Sequence, residues 1–458
     1  MALVEQHDAQ AHEPLALTRQ AAAWVAALGP DDVTPLARAW ARHAILDWIG
    51  VTLAAKREPL VDMMVEELAV DQPGPCSVFG HGRKTSLLNA SLINGAASHA
   101  LDYDDVTRAM HGHPTVPVAP VVLALAETLG SSGRDVLSAF VAGVEIECAL
   151  GDMTMGHHYA QGFHATGTLG AMGAAAAASH LMKLDAGQTA RALSIAASQA
   201  AGLKCNFGTM VKPFHAGKAA TNGLLAARLA ARGFTANPDA IECVQGFADA
   251  MSPEFVPAAI RPDPGAPFEV EKTLFKYHAA CYSTHAMIEA IKDMRGQHGI
   301  GLDDVAEVML CVHTRHAGNC SIPDPTTGLQ VKFSLRQLAV MAFDGVDTGA
   351  LESYSADNAN NPRYVDARQR VSIDYNEGRD RMTARLVVKL RDGQTIAGNG
   401  DVGVPAENLD RQWQKLAEKF MSIAGPVLGG DAACEAVISA VERFEGADNV
   451  HGLMDMIR

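Results

Sequence analysis

The chain reads as a mainly α-helical protein in which a large all-helical domain is followed by a smaller α+β domain. Three observations predict this. Apolar residues recur at helical spacing through about the first 250 residues, apolar and polar residues alternate at strand spacing in several runs after about residue 272, and helical patterning returns after Ala406. A chain of 458 residues exceeds what one hydrophobic core usually organises, so more than one domain is expected. The boundaries that follow are 1–272 for the helical domain, 273–405 for the α+β domain and 406–458 for C-terminal helices returning to the helical domain.

Each element has a local reason. Thr34-Pro35 is a helix start, a hydroxyl cap followed by proline at the first helical position. Leu36, Trp40, Ala44 and Trp48 then repeat every four residues as one apolar stripe. Val116 to Leu129 predicts a helix that carries prolines, and Gly167 to Leu184, with small residues on most faces, predicts a central buried helix. Farther on, Val308, Leu310 and Val312 alternate with Met309, Cys311 and His313 as in a strand. Ala384 to Leu390 alternates likewise, Arg391-Asp392-Gly393 supplies a turn, and Thr395 to Ala397 returns as the second strand of a hairpin. Val371 to Ile373 is a further short strand. Asp344 to Arg363 is rich in Asn, Asp and Gly and is expected to be a loop.

Composition narrows the function. Apolar residues make up 48% and charged residues 19%, the balance of a soluble globular protein. A net charge of −15 argues against a nucleic-acid binder, which needs a basic face. No apolar run reaches the ~18–20 residues that would cross a bilayer. The first residues, MALVEQHDAQAHEP, lack the pattern of a secretory signal, and the eight cysteines include no C-x-x-C pair. A cytoplasmic protein with reduced thiols and no zinc or iron–sulfur framework is expected.

The residues that carry chemistry gather in a few stretches. Asn94 to Pro117 places His99, His111 and His113 beside Asp102, Asp104 and Asp105, and a carboxylate beside an imidazole orients the ring and raises its basicity. Gly162 to Thr168 (GFHATGT) precedes the alanine-rich helix, so its N–H groups and hydroxyls are expected to face an anion at a helix N-terminus. Gly208 to Lys218 (GTMVKPFHAGK) lacks the spacing of a phosphate-binding loop, but places Lys212 at a turn where it can bind a carboxylate or exchange a proton. Lys276 to His285 (KYHAACYSTH) lies where helical patterning gives way to strands, a natural position for a cleft. There Lys276 is a candidate carboxylate clamp and Cys281 a candidate acid or base. Lys332, before the helix RQLAVMAF, is expected to be structural.

Taken in order, NGAASHALDYDD, GHPTVPVAP, GFHATGTLGAMGAAAAA, SQAAGL, GTMVKPFHAGKAA, KYHAACYSTH and VKFSL resemble the superfamily of 2-methylcitrate dehydratase, cis-aconitate decarboxylase and iminodisuccinate epimerase (MmgE/PrpD), over roughly residues 15 to 440. The resemblance implies a homodimer, a site between the two domains, and no metal or organic cofactor. It assigns catalytic positions to Asp102, His113, His164 and Lys212, with Cys281 at the position of a further acid or base. It matches Lys276 to a further site lysine, and Lys276, Thr166 and Tyr103 are the candidate substrate contacts. Two departures count against decarboxylation of cis-aconitate. Val106 replaces a threonine and the following H-P histidine is shifted by one residue, and Cys281 stands where that branch has a histidine. The chemistry implied is removal of a proton α to a carboxylate of a small di- or tricarboxylate, with His113 or His164 as base. A hydro-lyase resembling 2-methylcitrate dehydratase is the first expectation, an epimerase of a substituted dicarboxylate the second, and a non-catalytic binding protein the third.

Overall fold

In the computed structural model, which describes residues 16–458 apart from Pro253 and Pro262, the helix Pro35–Ala54 shows how the first domain is made. The Thr34 hydroxyl accepts from the Ala37 N–H at 3.1 Å, and Pro35 occupies the first turn, where no donor is lost. Trp40, Ala44 and Trp48 of the expected stripe are buried, whereas Leu36 at the helix start is 48% exposed. The N-terminal stretch considered above for a secretory signal lies outside the described residues.

Every residue of the helix Ala165–Leu181 is buried. Helices Thr115–Leu129, Gly133–Met153, Ala186–Gln199 and Val211–Ala231 pack around it. Small residues make this possible. A Cβ on Gly173 would lie 2.6 Å from Glu147 Oε2, and one on Gly223 would lie 2.5 Å from the Ala171 carbonyl oxygen. Backbones in close contact supply the dispersion attraction that larger side chains supply elsewhere. A short hairpin of β1 (Cys76–Val78) and β2 (Arg83–Thr85) also belongs to this half of the chain. Sequence reading missed it because three residues are too few to show alternation.

The second half is built on a mixed four-stranded sheet of β3 (Val305–Val312), β4 (Val371–Tyr375), β5 (Thr383–Leu390) and β6 (Thr395–Asp401), in the order β4-β3-β5-β6. β3 runs parallel to β4 and antiparallel to β5, and β5 and β6 form the expected hairpin with Gly393 at φ 91° in its turn. Val308, Leu310, Val312, Leu386 and Val388 face the core. The helix His285–His298 lies on β6 so closely that a Cβ on Gly400 would collide with the Ala286 carbonyl.

The stretch Asp344 to Arg363 is not the expected loop. It holds a 3₁₀ turn at Leu351–Ser353, a helix Ala356–Asn360 and the start of another, Pro362–Arg368. The polar residues that suggested a loop are caps: Ser355 accepts from the Asn358 N–H, and Asn361 precedes Pro362 at a helix start.

One apolar core extends from Leu17 to Phe275 and takes in residues from Leu416 to Ile457; a second spans Ala280 to Leu390. The helix Leu409–Leu428 packs on Pro35–Ala54. At that contact Lys419 is buried. Its Nζ donates to Asp47 Oδ1 at 2.7 Å, to the Tyr103 carbonyl at 2.8 Å and to the Lys276 carbonyl at 2.9 Å, which uses all three ammonium protons. Among the described residues no helix is long and apolar enough to cross a membrane.

Removing one partner of a buried, hydrogen-bonded ion pair leaves the other charge stranded. Lys419→Met should therefore destabilise the fold by about 3–5 kcal/mol, measured as a lowered midpoint of urea unfolding. Asp47→Asn combined with Lys419→Met should recover part of the loss. An unchanged midpoint in Lys419→Met would show that this lysine does not tie the C-terminal helix to the first domain.

Candidate active site

A cavity of about 160 Å³ opens where the two halves of the chain meet. Asp102, His113, His164, Lys212, Lys276 and Cys281, drawn from four separate stretches of sequence, all border it.

Asp102 sits just beyond the C-terminal end of the helix Leu87–Ala100, with φ 52°, a left-handed conformation that Asp tolerates better than most residues. Its Oδ1 lies 2.6 Å from Lys212 Nζ, 3.3 Å from Lys276 Nζ and 3.9 Å from His113 Nε2. Burial alone would raise this carboxyl, but Lys212 and Lys276 outweigh it and hold Asp102 well below the usual carboxylate range. Burial would likewise lower the Lys212 ammonium, and the adjacent carboxylate raises it instead. Both groups are therefore charged at neutral pH. Lys276 is brought here by the backbone: Val106 and Leu274 exchange N–H···O bonds at 2.9 Å each way, and Lys276 follows two residues later. Its Nζ also donates to the Asp102 carbonyl at 2.5 Å, so two of its three protons are committed to Asp102.

Asp104 lies behind the imidazoles. His113 Nδ1 is 2.8 Å from Asp104 Oδ2 and 2.8 Å from the Asp105 carbonyl oxygen. Both neighbours are acceptors, so Nδ1 carries the proton and Nε2 offers its lone pair on the side of Asp102. His99 Nδ1 approaches the same carboxylate at 2.9 Å. Against burial, the two rings hold Asp104 well below its ordinary value. The third carboxyl differs. Burial pushes Asp105 well above the usual range, although the Thr115 hydroxyl lies 2.5 Å from it.

His164 precedes the central helix, with Nδ1 3.1 Å from His215 Nδ1. Burial first, then His99 and Lys212, push it well below the ordinary histidine value, so this ring is neutral. Cys281 is half-buried at the cavity and shares a side-chain hydrogen bond with buried Cys320. That bond outweighs burial and lowers the Cys281 thiol to about 7.

The structure places the remaining sequence-derived positions away from the cavity or in other roles. Thr166 does not border the cavity. It is fully buried and its Oγ1 accepts the His113 backbone N–H at 3.1 Å, so it positions a histidine rather than a substrate. Tyr103 lines a different groove, beside Lys419, and lies 3.9 Å under that ammonium. The hydroxyls of the GFHATGT turn do not face an anion, since Thr168 Oγ1 pairs with His158 Nε2 at 2.7 Å. Lys212 stands in the first turn of the helix Val211–Ala231 and not in the turn before it. Lys332, expected to be structural, donates to the Leu101 carbonyl at 2.6 Å and does not border the cavity.

Sequence reading also missed part of the wall. Arg315 and Arg381 border the cavity from the second half of the chain, and Tyr159 and Phe207 from the first. Arg315 follows β3 and Arg381 precedes β5, both in irregular connections where periodicity carries no signal. The only hint was that each directly follows the end, or precedes the start, of a predicted strand.

His99, Asp102, Asp104 and His113 approach one another closely enough to suggest a metal site. The donor set does not fit one. Asp102 is already occupied by two ammonium groups, which would repel a divalent cation, and both Nδ1 atoms are turned onto Asp104.

Known proteins match this chain over most of its length. The chain is 26% identical to a cis-aconitate decarboxylase of Aspergillus terreus over 455 residues, covering 92% of each chain. It is 27% identical to the cis-aconitate decarboxylase of Homo sapiens over 388 residues, covering 81% of this chain and 79% of that one. It is 25% identical to the cis-aconitate decarboxylase-like protein oryM of Aspergillus oryzae, covering 88% and 91%. Residues 19–259 match the MmgE/PrpD N-terminal domain and residues 278–443 the MmgE/PrpD C-terminal domain. With both domain models matched in order over most of its length, the chain belongs to the MmgE/PrpD family.

Proposed function

We propose that this protein is a cofactor-independent acid/base enzyme that removes the proton α to a carboxylate of a small di- or tricarboxylate, as a hydro-lyase acting on a 2-methylcitrate-like substrate. One observation carries this reading. In a chain of net charge −15, the cavity wall bears four permanent cations, Lys212, Lys276, Arg315 and Arg381, against the single carboxylate of Asp102. Such a wall attracts a polyanion and stabilises the charge that develops as a carbon acid ionises.

The roles follow from the geometry. His113 is the base: its Nδ1 proton is held by Asp104, so its Nε2 lone pair is oriented before the substrate arrives. His164, kept neutral, is a poorer base near pH 7 and serves as a hydrogen-bonding wall group. The charged Lys212 ammonium faces the carboxylate oxygens on which the enediolate charge collects. Lys276 fixes Asp102 and has one proton left for the substrate. Cys281, which titrates near 7, is the group to protonate the departing hydroxyl.

A second reading is favoured by the same thiol. An epimerase needs proton-exchanging groups on both faces of one carbon, and a cysteine lowered to about 7 that borders the same cavity as His113 is a candidate for the second group. The relatives named as cis-aconitate decarboxylases bring decarboxylation into consideration, and Val106 and Cys281 count against it. Proton NMR of a polycarboxylate panel in D₂O separates the readings. Deuterium uptake with a new alkene and intact carbon skeleton marks a dehydratase, and uptake with an unchanged constitution marks an epimerase. Loss of a carboxyl carbon marks a decarboxylase, and no uptake or product on any member refutes acid/base catalysis on this class.

His113→Ala should lower kcat by about 10²-fold or more, the scale of a lost general base, and Asp104→Asn should lower it through loss of ring orientation. Steady-state kinetics on the turned-over substrate check both, and near-wild-type kcat in His113→Ala would remove His113 from the chemistry. If Cys281 is the second acid/base group, Cys281→Ser should cost about 10²-fold in turnover and abolish the limb of the pH–rate profile near 7. Deuterium exchange through His113 should persist in that variant. Turnover within tenfold of wild type, with the limb unchanged, would reduce the thiol to wall lining. Activity should also survive exhaustive dialysis against EDTA, because in the one cluster with metal-like spacing among the described residues two lysines already occupy Asp102; loss of turnover restored by a single added metal would contradict this.

A further inference from the structure

We infer that Arg315 and Arg381 form a second anion subsite in this cavity, one that takes a substrate carboxylate other than the one beside the reacting carbon. The inference rests on the function proposed above and names the part of the substrate that the second half of the chain recognises.

The two arginines are set apart from the lysines by their origin. Lys212 and its partner Asp102 come from the helical half, whereas Arg315 stands in the connection after β3 and Arg381 in the one before β5. The two connections are joined to each other. The Asn376 N–H donates to the Val312 carbonyl at 2.8 Å, and His316 Nε2 donates to the Arg381 carbonyl at 3.0 Å. A third bond, from the Arg315 N–H to His313 Nδ1 at 3.0 Å, shapes the turn that carries Arg315. These hydrogen bonds organise the backbone on which both guanidinium groups stand, which lowers the entropy lost on binding.

Their charges are not neutralised. Among the described residues neither Arg315 nor Arg381 has a carboxylate within 4.0 Å, while Arg108, next to the same region, is paired with Asp380 at 3.0 Å. Arg381 Nη1 instead approaches His111 Nδ1 at 3.3 Å. Burial and the two arginines lower that imidazole to about 4, so it is a neutral acceptor and not a counter-ion. A separate observation points to a ligand at the same wall. His316, 2% exposed and bordering the cavity, donates through Nε2, which leaves its buried Nδ1 an acceptor with no partner among the described residues. Two unpaired guanidinium groups beside an unpaired acceptor suit a carboxylate, whose planar oxygens match the guanidinium fork, carried on a fragment with a donor such as a hydroxyl.

The test measures binding of propane-1,2,3-tricarboxylate, an unreactive probe, by calorimetry. Wild type, Arg315→Gln and Arg381→Gln are compared with Arg370→Gln, an exposed arginine paired with Asp366 that controls for net charge. Both cavity variants should bind the probe tenfold to a hundredfold more weakly, the range for charge-assisted hydrogen bonds, and Arg370→Gln should match wild type. With a turned-over substrate, the same two variants should raise KM with kcat within threefold. Thermal melting confirms that each variant is folded. Binding within twofold of wild type in both cavity variants, equal weakening in all three, or no binding to wild type would overturn the subsite. Normal deuterium exchange with unaffected binding in the variants sinks the subsite alone. Absent exchange on every panel member, with binding still lost in both variants, sinks the reaction and leaves the subsite.

Discussion

Three consecutive carbonyl oxygens hold this protein's site in place. Leu101 accepts from Lys332 at 2.6 Å, Asp102 from Lys276 at 2.5 Å, and Tyr103 from Lys419 at 2.8 Å. They follow the C-terminal end of the helix Leu87–Ala100, where unsatisfied carbonyls and the helix dipole favour cations. Three buried ammonium groups carry a desolvation cost of several kcal/mol each, so the arrangement stands only because each has defined acceptors. The lysines come from three places: the approach to the second half of the chain, the turn before the helix Leu335–Phe343, and the C-terminal helix Leu409–Leu428. The left-handed turn at Asp102 is thus surrounded by lysines from three parts of the chain. Fold completion and site geometry are one constraint.

That constraint gives three neighbouring carboxyls three different fates. Asp102 meets lysines and stays ionised, Asp104 meets two imidazoles and stays ionised, and burial raises Asp105, beside Thr115, well above the usual carboxylate range. In a stretch of sequence these residues look alike. Their environments separate them, and the separation is what lets one orient a base while another anchors a cation.

What was legible in the sequence had a local signature. The stripe of Trp40, Ala44 and Trp48, the small-residue helix now seen at Ala165–Leu181, and the hairpin through Gly393 all follow from spacing or turn chemistry, and all are found. The helical and sheet-bearing halves are legible for the same reason. Thr166 and Tyr103 do not border the cavity, since proximity along the chain to His164 and Asp102 says nothing about direction. One side chain turns inward to the His113 N–H and the other turns to the far side of its turn. Asp344 to Arg363 was misread because Ser and Asn favour loops and helix caps by the same side-chain hydrogen bond, and only tertiary contact decides between them. Arg315 and Arg381 had only their place beside predicted strands as a signal, since the connections that carry them converge on the cavity only once the sheet has paired.

The division of the cavity between the two halves bears on how the reaction is chosen. In the reading proposed here, proton removal needs only what the helical half provides: His113 oriented by Asp104, and Lys212 charged beside Asp102. Dehydration, epimerisation and decarboxylation share a carbanion-like species, and they differ in what meets it next. That depends on which substituent is held opposite the base and which group can deliver a proton there. Those features involve the wall that the second half of the chain supplies, with Cys281, Arg315 and Arg381. A thiol at this place, in contact with Cys320, brings a proton with an affinity matched to neutral pH, and the arginines fix which end of a polyanion can point toward it. A change confined to this wall could redirect the outcome without disturbing the base. For this reason the departures of this chain at Cys281 weigh more on the reaction than its overall identity to any one relative.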